Sequence, residues 1–178
     1  MRRPGRILGL DLSLTCTGMC VLSRGWKAAE WHHVTTRAVK IPIAKAATPE
    51  QLGARLVSIV AEVSTFAFDR WNVQHAFVED YAHGALGSSH TKLAELRGAV
   101  VVELARRGLY LKPLSIGPIR QYLIGDGSPR KESKIRAELL LRRAGLVLAT
   151  TDEYDAFAVA NYGLATLGGV GVSFPKNA

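Results

Sequence analysis

Hydrophobic and polar positions in the first part of the chain follow the pattern of short β-strands. An apolar run at 6–12 predicts a buried strand, and a second strand is expected at 18–23 after a small polar segment. Residues 24–25 have the composition of a hairpin turn. Residues 30–37 are rich in Val and Thr and complete three antiparallel strands. The chain is therefore expected to begin as an antiparallel meander.

Helical spacing of apolar residues begins after Pro49, where Leu52, Leu56, Ile59 and Val63 recur at intervals of four, three and four residues. The remaining pattern predicts strands at 75–79 and 109–114, a helix ending at 106–108, and helices at 116–124, 131–143 and about 152–167. We expect one α/β domain over 1–167, with a mixed five-stranded sheet flanked by helices, and a flexible tail at 168–178.

Composition adds a basic charge to this picture. The chain of 178 residues has 23 Lys and Arg against 15 Asp and Glu, a formal net charge of +8, which favours a polyanionic partner such as nucleic acid. Cys16 and Cys20 are expected to be reduced thiols. There is no apolar run of 18 residues, and Asp11 interrupts the first apolar run too early for a signal peptide, so a cytoplasmic protein is expected.

Four carboxylates stand where a buried or half-buried element should carry an apolar residue. Asp11 interrupts the first strand, Glu79 ends the fourth, and Asp152 and Asp155 open the last helix. Burying a charged carboxylate that has no cation or hydrogen-bond donor beside it destabilises the fold by roughly several kcal/mol. Mg²⁺ prefers oxygen ligands, and a pair of such ions can activate a water and stabilise the leaving oxygen of a phosphodiester. Together these acids predict a metal site.

Each acid also has a structural interpretation. Asp152 could be the N-cap of the last helix with Asp155 at the third helical position, and Asp11 could bond the amides of residues 13–17 as a turn former. The occurrence of all four acids in this order favours the metal site.

A basic segment lies between the second and third groups of acids. Residues 112–143 contain eight Lys and Arg and three Asp and Glu, a local excess of five positive charges. A charged helix face is often only solvated, but this position between the acids is where a DNA backbone would lie.

Short motifs in the same order as these features resemble those of the RuvC family of Holliday junction resolvases. Residues 7–18 (ILGLDLSLTCTG) are similar to the family's first motif, an Asp on strand one followed by a small polar loop and a Gly. Residues 77–80 (FVED) resemble the second motif, and residues 152–160 (DEYDAFAVA) resemble the third. The likeness runs from about 6 to 167 and covers nearly the whole chain.

The resemblance implies an RNase H-like fold, a homodimer, and two symmetric incisions in branched DNA that depend on two Mg²⁺ ions per site, with Mn²⁺ as a substitute. It makes the four acids the catalytic metal ligands. Residues 119–127 (IRQYLIGDG) and 96–100 (LRGAV) resemble the family's basic DNA-contacting segment and the Arg-Gly step of its dimer helix. The residues implied in DNA contact are Arg120, Lys131, Lys134, Arg97 and, in place of the family's wedge aromatic, Tyr81.

Three other functions are compatible with parts of the pattern. A nuclease of the same fold could act on forks, flaps or RNA–DNA hybrids with the same acids. Residues 11–18 also look like the first phosphate loop of actin- and hexokinase-type phosphotransferases, but those proteins need two such domains, and 178 residues are too few for them. A junction-binding module without chemistry would have no need of all four acids.

Overall fold

The structure, a computed structural model, describes residues 5–24, 31–40, 47–80, 88–125 and 130–168. Its sheet has the strand order β3-β2-β1-β4-β5. The two pairings within the β1-β2-β3 meander are antiparallel, whereas β4 is parallel to β1 and β5 is parallel to β4. The strands are β1 (Arg6–Asp11), β2 (Cys16–Arg24), β3 (Trp31–Lys40), β4 (His75–Glu79) and β5 (Leu111–Leu114).

Five α-helices and one π-helical segment connect and cover these strands. The predicted α/β fold with a mixed sheet and flanking helices is thereby confirmed. The helices are α1 (Pro49–Ser64), α2 (Ser88–Arg106), α3 (Ile116–Ile124), α4 (Arg130–Arg143) and α5 (Thr151–Thr166), and the π-helical segment is Thr65–Arg70.

The two faces of the sheet carry separate apolar cores. Because side chains alternate along a strand, Leu8 and Leu10 of β1 face α1 and α2, whereas Ile7 faces α5. The first core includes the apolar face of α1 that the sequence predicts, together with buried residues of α2. The second core is formed with the buried Ile119 of α3, Leu141 of α4 and most of one side of α5. The sheet therefore lies between two helical layers, and α5 is the helix against its centre.

Helix α5 lies unusually close to the sheet because glycines face it. A Cβ atom at Gly9 of β1 would lie 2.2 Å from the carbonyl oxygen of Ala156, and one at Gly18 of β2 would lie 2.0 Å from the carbonyl oxygen of Asp152. These distances are too short for any side chain, so only glycine permits this approach. The backbone of the first turn of α5 therefore rests directly on β2.

Some boundaries differ from the sequence prediction. Strand β2 begins at Cys16 rather than at residue 18, and β3 continues to Lys40. The π-helical segment at Thr65–Arg70 was not predicted. The predicted turn at Gly25, the candidate wedge Tyr81 and the tail from residue 169 onward lie outside the described residues.

Two further expectations from composition can be compared with the structure. Cys16 and Cys20 are not joined in a disulfide, as expected. None of the described helices has the length and apolar character that crossing a bilayer requires.

Candidate active site

The four predicted acids come from three elements that meet at the carboxyl ends of the two parallel strands β1 and β4. Asp11 is the last residue of β1 and Glu79 the last residue of β4. Since β1 and β4 are parallel neighbours, with Leu10 opposite Val78, their carboxyl ends lie side by side. Asp152 and Asp155 lie in the first turns of α5. Gly18, against which the start of α5 packs, is the register partner of Asp11 on β2.

The electrostatic environment of Asp11 and Asp155 raises the pKa of both carboxyl groups. Burial raises the pKa of Asp11 well above its ordinary value, and the negative charges of Asp155, Glu79 and Asp152 raise it further, against the opposing effect of Lys134. Burial also raises the pKa of Asp155, although the neighbouring Lys134 and Arg120 act in the opposite direction. The structure thus brings Glu79, Asp152 and Asp155 within electrostatic range of Asp11, and we call these four residues the acid cluster.

The alternative role of Asp152 and Asp155 as helix caps is wrong, because other residues cap α5. The N-cap is Thr150, whose Oγ1 accepts the backbone N–H of Glu153 at 3.3 Å. Glu153 completes a capping box, since its Oε2 accepts the backbone N–H groups of Thr150 at 3.4 Å and Ala149 at 2.8 Å. The carboxylates of Asp152 and Asp155 are therefore not required to begin the helix.

The alternative role of Asp11, forming the turn after β1, is filled by other side chains. The Ser13 hydroxyl accepts the backbone N–H groups of Thr15 at 3.2 Å and Cys16 at 3.4 Å. The Thr17 hydroxyl accepts the N–H of Ser13 at 3.2 Å and donates to the Ser13 carbonyl at 2.7 Å. The loop after β1 is thus held by its own hydroxyls, and the carboxylate of Asp11 remains for the acid cluster.

The capping box of α5 leads to a prediction that separates positioning from stability. Thr150→Ala should lower the free energy of unfolding by about 1 kcal/mol, the usual cost of a lost N-cap. It should also reduce incision, because Asp152 and Asp155 lie in the turns that the cap orders. Urea denaturation and a nicking assay measure the two effects.

The chain provides a matched control in α1. Thr48 caps α1 with the same kind of box, closed by Gln51. Thr48→Ala should cost a similar free energy of unfolding and leave incision unchanged. Equal losses of incision in both variants would contradict a positioning role for the α5 cap.

The candidate DNA-binding residues are placed differently from one another. Lys134 of α4 forms an ion pair with Asp155 inside the acid cluster. Arg120 of α3 is partly exposed and near enough to affect Asp155. Lys131 lies in the first turn of α4, where only its backbone is described. Arg97 of α2 forms an ion pair with Asp80 at 2.5 Å, next to Glu79. Four of the five candidates thus lie on elements that are described.

The donor set of this cluster fits a hard divalent cation, because all four groups offer carboxylate oxygens and their mutual repulsion requires positive charge. Within the described ranges, no three His, Cys, Asp or Glu side chains are grouped closely enough to form a ready metal site. One positive charge is already supplied by Lys134, whose Nζ contacts Oδ2 of Asp155. The Lys134 ammonium pairs with this one acid and lies within electrostatic range of Asp11 and Asp152.

Two kinds of positioning residue were missed in the sequence. Thr150 and Glu153 fit the Thr-x-x-Glu signature of a capping box, which was available from the sequence but was assigned to the neighbouring acids. The steric role of Gly18 had no such signal, because it depends on the helix that packs on β2.

Comparisons with known proteins agree with this geometry. A sequence profile described as crossover junction endodeoxyribonuclease RuvC matches residues 7–161. A protein of that name from Sphingopyxis alaskensis is 31% identical over 154 residues, which are 86% of this chain and 93% of the relative. Another from Erythrobacter litoralis is 32% identical over 155 residues, 86% of this chain and 89% of the relative.

Solved structures share the fold at lower identity. A Thermus thermophilus RuvC structure superposes with a TM-score of 0.70 and 22% identity, covering 92% of this chain and 96% of that one. The same protein in complex with a Holliday junction substrate gives a TM-score of 0.71, with the same identity and coverage. At this identity, the superpositions support the RNase H-like fold of the chain.

Proposed function

Because the chain belongs to the RuvC family of crossover junction endodeoxyribonucleases, we propose that it resolves four-way Holliday junctions by paired, metal-dependent nicks. The observation that carries this proposal is the cluster of four carboxylates from β1, β4 and α5, in which burial and neighbouring charges raise the pKa of Asp11. We place this activity in the cytoplasm of a bacterium or of a bacteriophage host, since the matched relatives are bacterial proteins.

Asp11, Glu79, Asp152 and Asp155 are the proposed ligands of the catalytic metal. Bound Mg²⁺, or Mn²⁺ in its place, would activate a water and stabilise the leaving oxygen of the phosphodiester, with two ions per site. Asp11 is the acid whose pKa the other three all raise. The strand ends and the capped first turn of α5 hold these oxygens on rigid elements, which favours a fixed geometry for the cut strand.

DNA would reach the site past the basic residues of α3 and α4. Arg120 of α3 is near enough to Asp155 to lower its pKa, Lys131 belongs to the first turn of α4, and Arg97 of α2 pairs with Asp80, the residue after Glu79. Contacts of this kind are made to the phosphate backbone and fix the position of the strand rather than reading its sequence. Tyr81 remains the candidate for the wedge residue.

This DNA path can be tested through the salt dependence of binding. Replacing Arg120 and Lys131 by Ala should weaken junction binding and reduce the slope of log affinity against log salt by about 0.9 for each lost phosphate contact. Fluorescence anisotropy in chelator measures both quantities. Arg70→Ala is the control, because this exposed residue precedes β4 and lies away from the strand end that carries Glu79. An unchanged slope in the double variant would place the DNA elsewhere.

Two opposed nicks require two active sites related by symmetry, so we propose a homodimer. Helix α2 offers a surface for the partner on the side opposite its buried residues Leu96, Val100 and Leu104. Ala94 and Gly98 are exposed there, as are Val101 and Val102, with 38% and 58% of their surfaces accessible. Small and apolar residues in this arrangement allow a second helix to approach closely.

A nicking assay on different DNA structures tests the proposed function. A four-way junction, a fork, a linear duplex and an RNA–DNA hybrid of matched sequence are incubated with Mg²⁺ or with chelator. We expect paired nicks in opposed strands of the four-way junction, and none in chelator. Preferred cutting of the fork or the hybrid would instead assign the same acid cluster to another nuclease of this fold. Binding without cutting on every substrate would indicate a non-catalytic module.

A further inference from the structure

Lys134 is paired with an acid of the cluster, which a residue that only contacts DNA would not require. Its Nζ forms an ion pair with Oδ2 of Asp155, and the Lys134 side chain is 39% exposed against 19% for Asp155. The ion pair therefore lies at the opening of the cluster, with the carboxylate on the inner side and the lysine stem reaching in from α4. The ammonium also lies within electrostatic range of Asp11 and Asp152.

The surroundings of Lys134 hold its charge in this place. Its neighbour Ser133 is fully buried, and Ala137 and Leu141 of the same helix are buried too, so Lys134 extends from a helix that packs on the core. The ion pair with the less exposed carboxylate of Asp155 keeps the Lys134 ammonium turned toward the acids. Lys134 is therefore a charged group that the acid cluster retains.

A bound divalent ion and this ammonium would compete for the same carboxylate. An ammonium donates hydrogen bonds to the oxygen lone pairs that a metal would use, and the two positive charges repel each other at the short distances of a metal site. The lysine side chain is flexible and partly exposed, so it can leave Asp155 for solvent without any movement of α4. Competition of this kind lowers the affinity for the metal and leaves the ligands in place.

We propose that Lys134 is an internal counter-ion of the metal-free site, displaced from Asp155 when a divalent ion binds, and that it thereby raises the metal concentration at which the nuclease becomes active. This inference rests on the proposed function, because it assumes that Asp155 is a metal ligand. The same contact stabilises the metal-free fold by neutralising part of the acid cluster. Lys134 thus has opposite effects on the stability of the metal-free protein and on its affinity for metal.

These opposite effects define the experiment. Lys134→Gln is compared with the wild type and with Lys134→Arg, which keeps the charge. Lys112→Gln, an exposed residue of β5, controls for the loss of one positive charge. Mn²⁺ binding is followed by the loss of the free-ion signal in electron paramagnetic resonance, and thermal unfolding is measured in chelator and in saturating Mn²⁺.

We expect Lys134→Gln to bind Mn²⁺ about tenfold more tightly than the wild type, a coupling of ordinary size between two sites. Its melting temperature should fall in chelator, so that Mn²⁺ raises the melting temperature more than in the wild type. The Mn²⁺ concentration for half-maximal nicking should decrease in parallel. Lys134→Arg and Lys112→Gln should bind Mn²⁺ with an affinity within about threefold of the wild type, which is less than the coupling expected for Lys134→Gln.

The outcomes distinguish this inference from the proposed function. If the wild type binds Mn²⁺ and Lys134→Gln binds it equally or more weakly, Lys134 does not compete with the metal, and the inference is wrong while the metal site stands. If the wild type itself binds no Mn²⁺, both the metal site and the inference are overturned.

Discussion

Asp11→Asn and Glu79→Gln will each abolish incision of a four-way junction while leaving junction binding intact. Both acids end parallel strands whose carboxyl ends lie side by side, and each substitution removes one negative charge and a proposed metal ligand without changing the size of the side chain. Stabilisation of transition-state charge by a metal supplies several kcal/mol, so single-turnover nicking should fall by on the order of 10³-fold or more. Binding, measured by gel shift in chelator, should be unchanged or slightly tighter.

The folded state of the Asp11 variant provides an independent check. The raised pKa of Asp11 means that the folded chain binds its proton more tightly than the unfolded chain does, so stability falls as the pH rises from about 4 through that raised pKa. Asp11→Asn removes this cost. In chelator at pH 7 the variant should therefore be more stable than the wild type, and the difference should vanish near pH 3, where the carboxyl is protonated in both the folded and the unfolded chain.

A matched substitution outside the cluster completes this experiment. Asp69 is an exposed acid that pairs with Arg107 at 2.8 Å, away from the strand ends. Asp69→Asn should leave incision unchanged. Nicking by Asp11→Asn or Glu79→Gln at the rate of this control would remove the proposed metal site.

Gly18→Ala will reduce incision by about 100-fold, although residue 18 carries no functional group. The added Cβ would lie 2.0 Å from the carbonyl oxygen of Asp152, so the first turn of α5 must move away from β2. A displacement of about 1 Å in a reacting group can cost 10²-fold in rate. The overpacking should also lower the free energy of unfolding by about 1–3 kcal/mol. Single-turnover nicking and urea denaturation measure the two changes.

Gly53→Ala is the control for this substitution. Gly53 lies within α1 and has nothing within 4 Å of an added Cβ, so alanine should stabilise the helix by about 0.5–1 kcal/mol and leave nicking unchanged. Full activity of Gly18→Ala, with the expected loss of stability, would show that the acid cluster tolerates displacement of α5.

The strands and the main helix faces could be predicted because burial imposes a period on the sequence. Leu56, Ile59 and Val63 recur at helical spacing, and two of these three are buried in α1. The π-helical segment at Thr65–Arg70 could not be predicted, since six residues are too few to establish a period. Its geometry follows from tertiary packing, in which Phe66 and Ala67 are buried and the Val73 N–H reaches the Ala67 carbonyl at 2.9 Å.

The composition of the acid cluster was also predictable, because a carboxylate in an apolar run conflicts with its local pattern. The side chains that pair with these acids could not be predicted. Whether Lys134 points to DNA or to Asp155 depends on how α4 packs against α5, and helical spacing within α4 does not contain that information. In the same way, the sequence identifies Glu153 as an acid next to two others, while the structure shows it buried and committed to the cap.

The positions of the four acids in the sequence determine when during synthesis the acid cluster can form. Asp11 belongs to the first strand, Glu79 to the fourth, and Asp152 and Asp155 to α5, the last described helix. A chain that has emerged from the ribosome only as far as Glu79 or α4 holds at most half of the proposed ligands. On the proposed function, a nascent or prematurely terminated chain therefore cannot cut DNA. On that function, the nuclease becomes competent only after α5 has been made and has docked on β2.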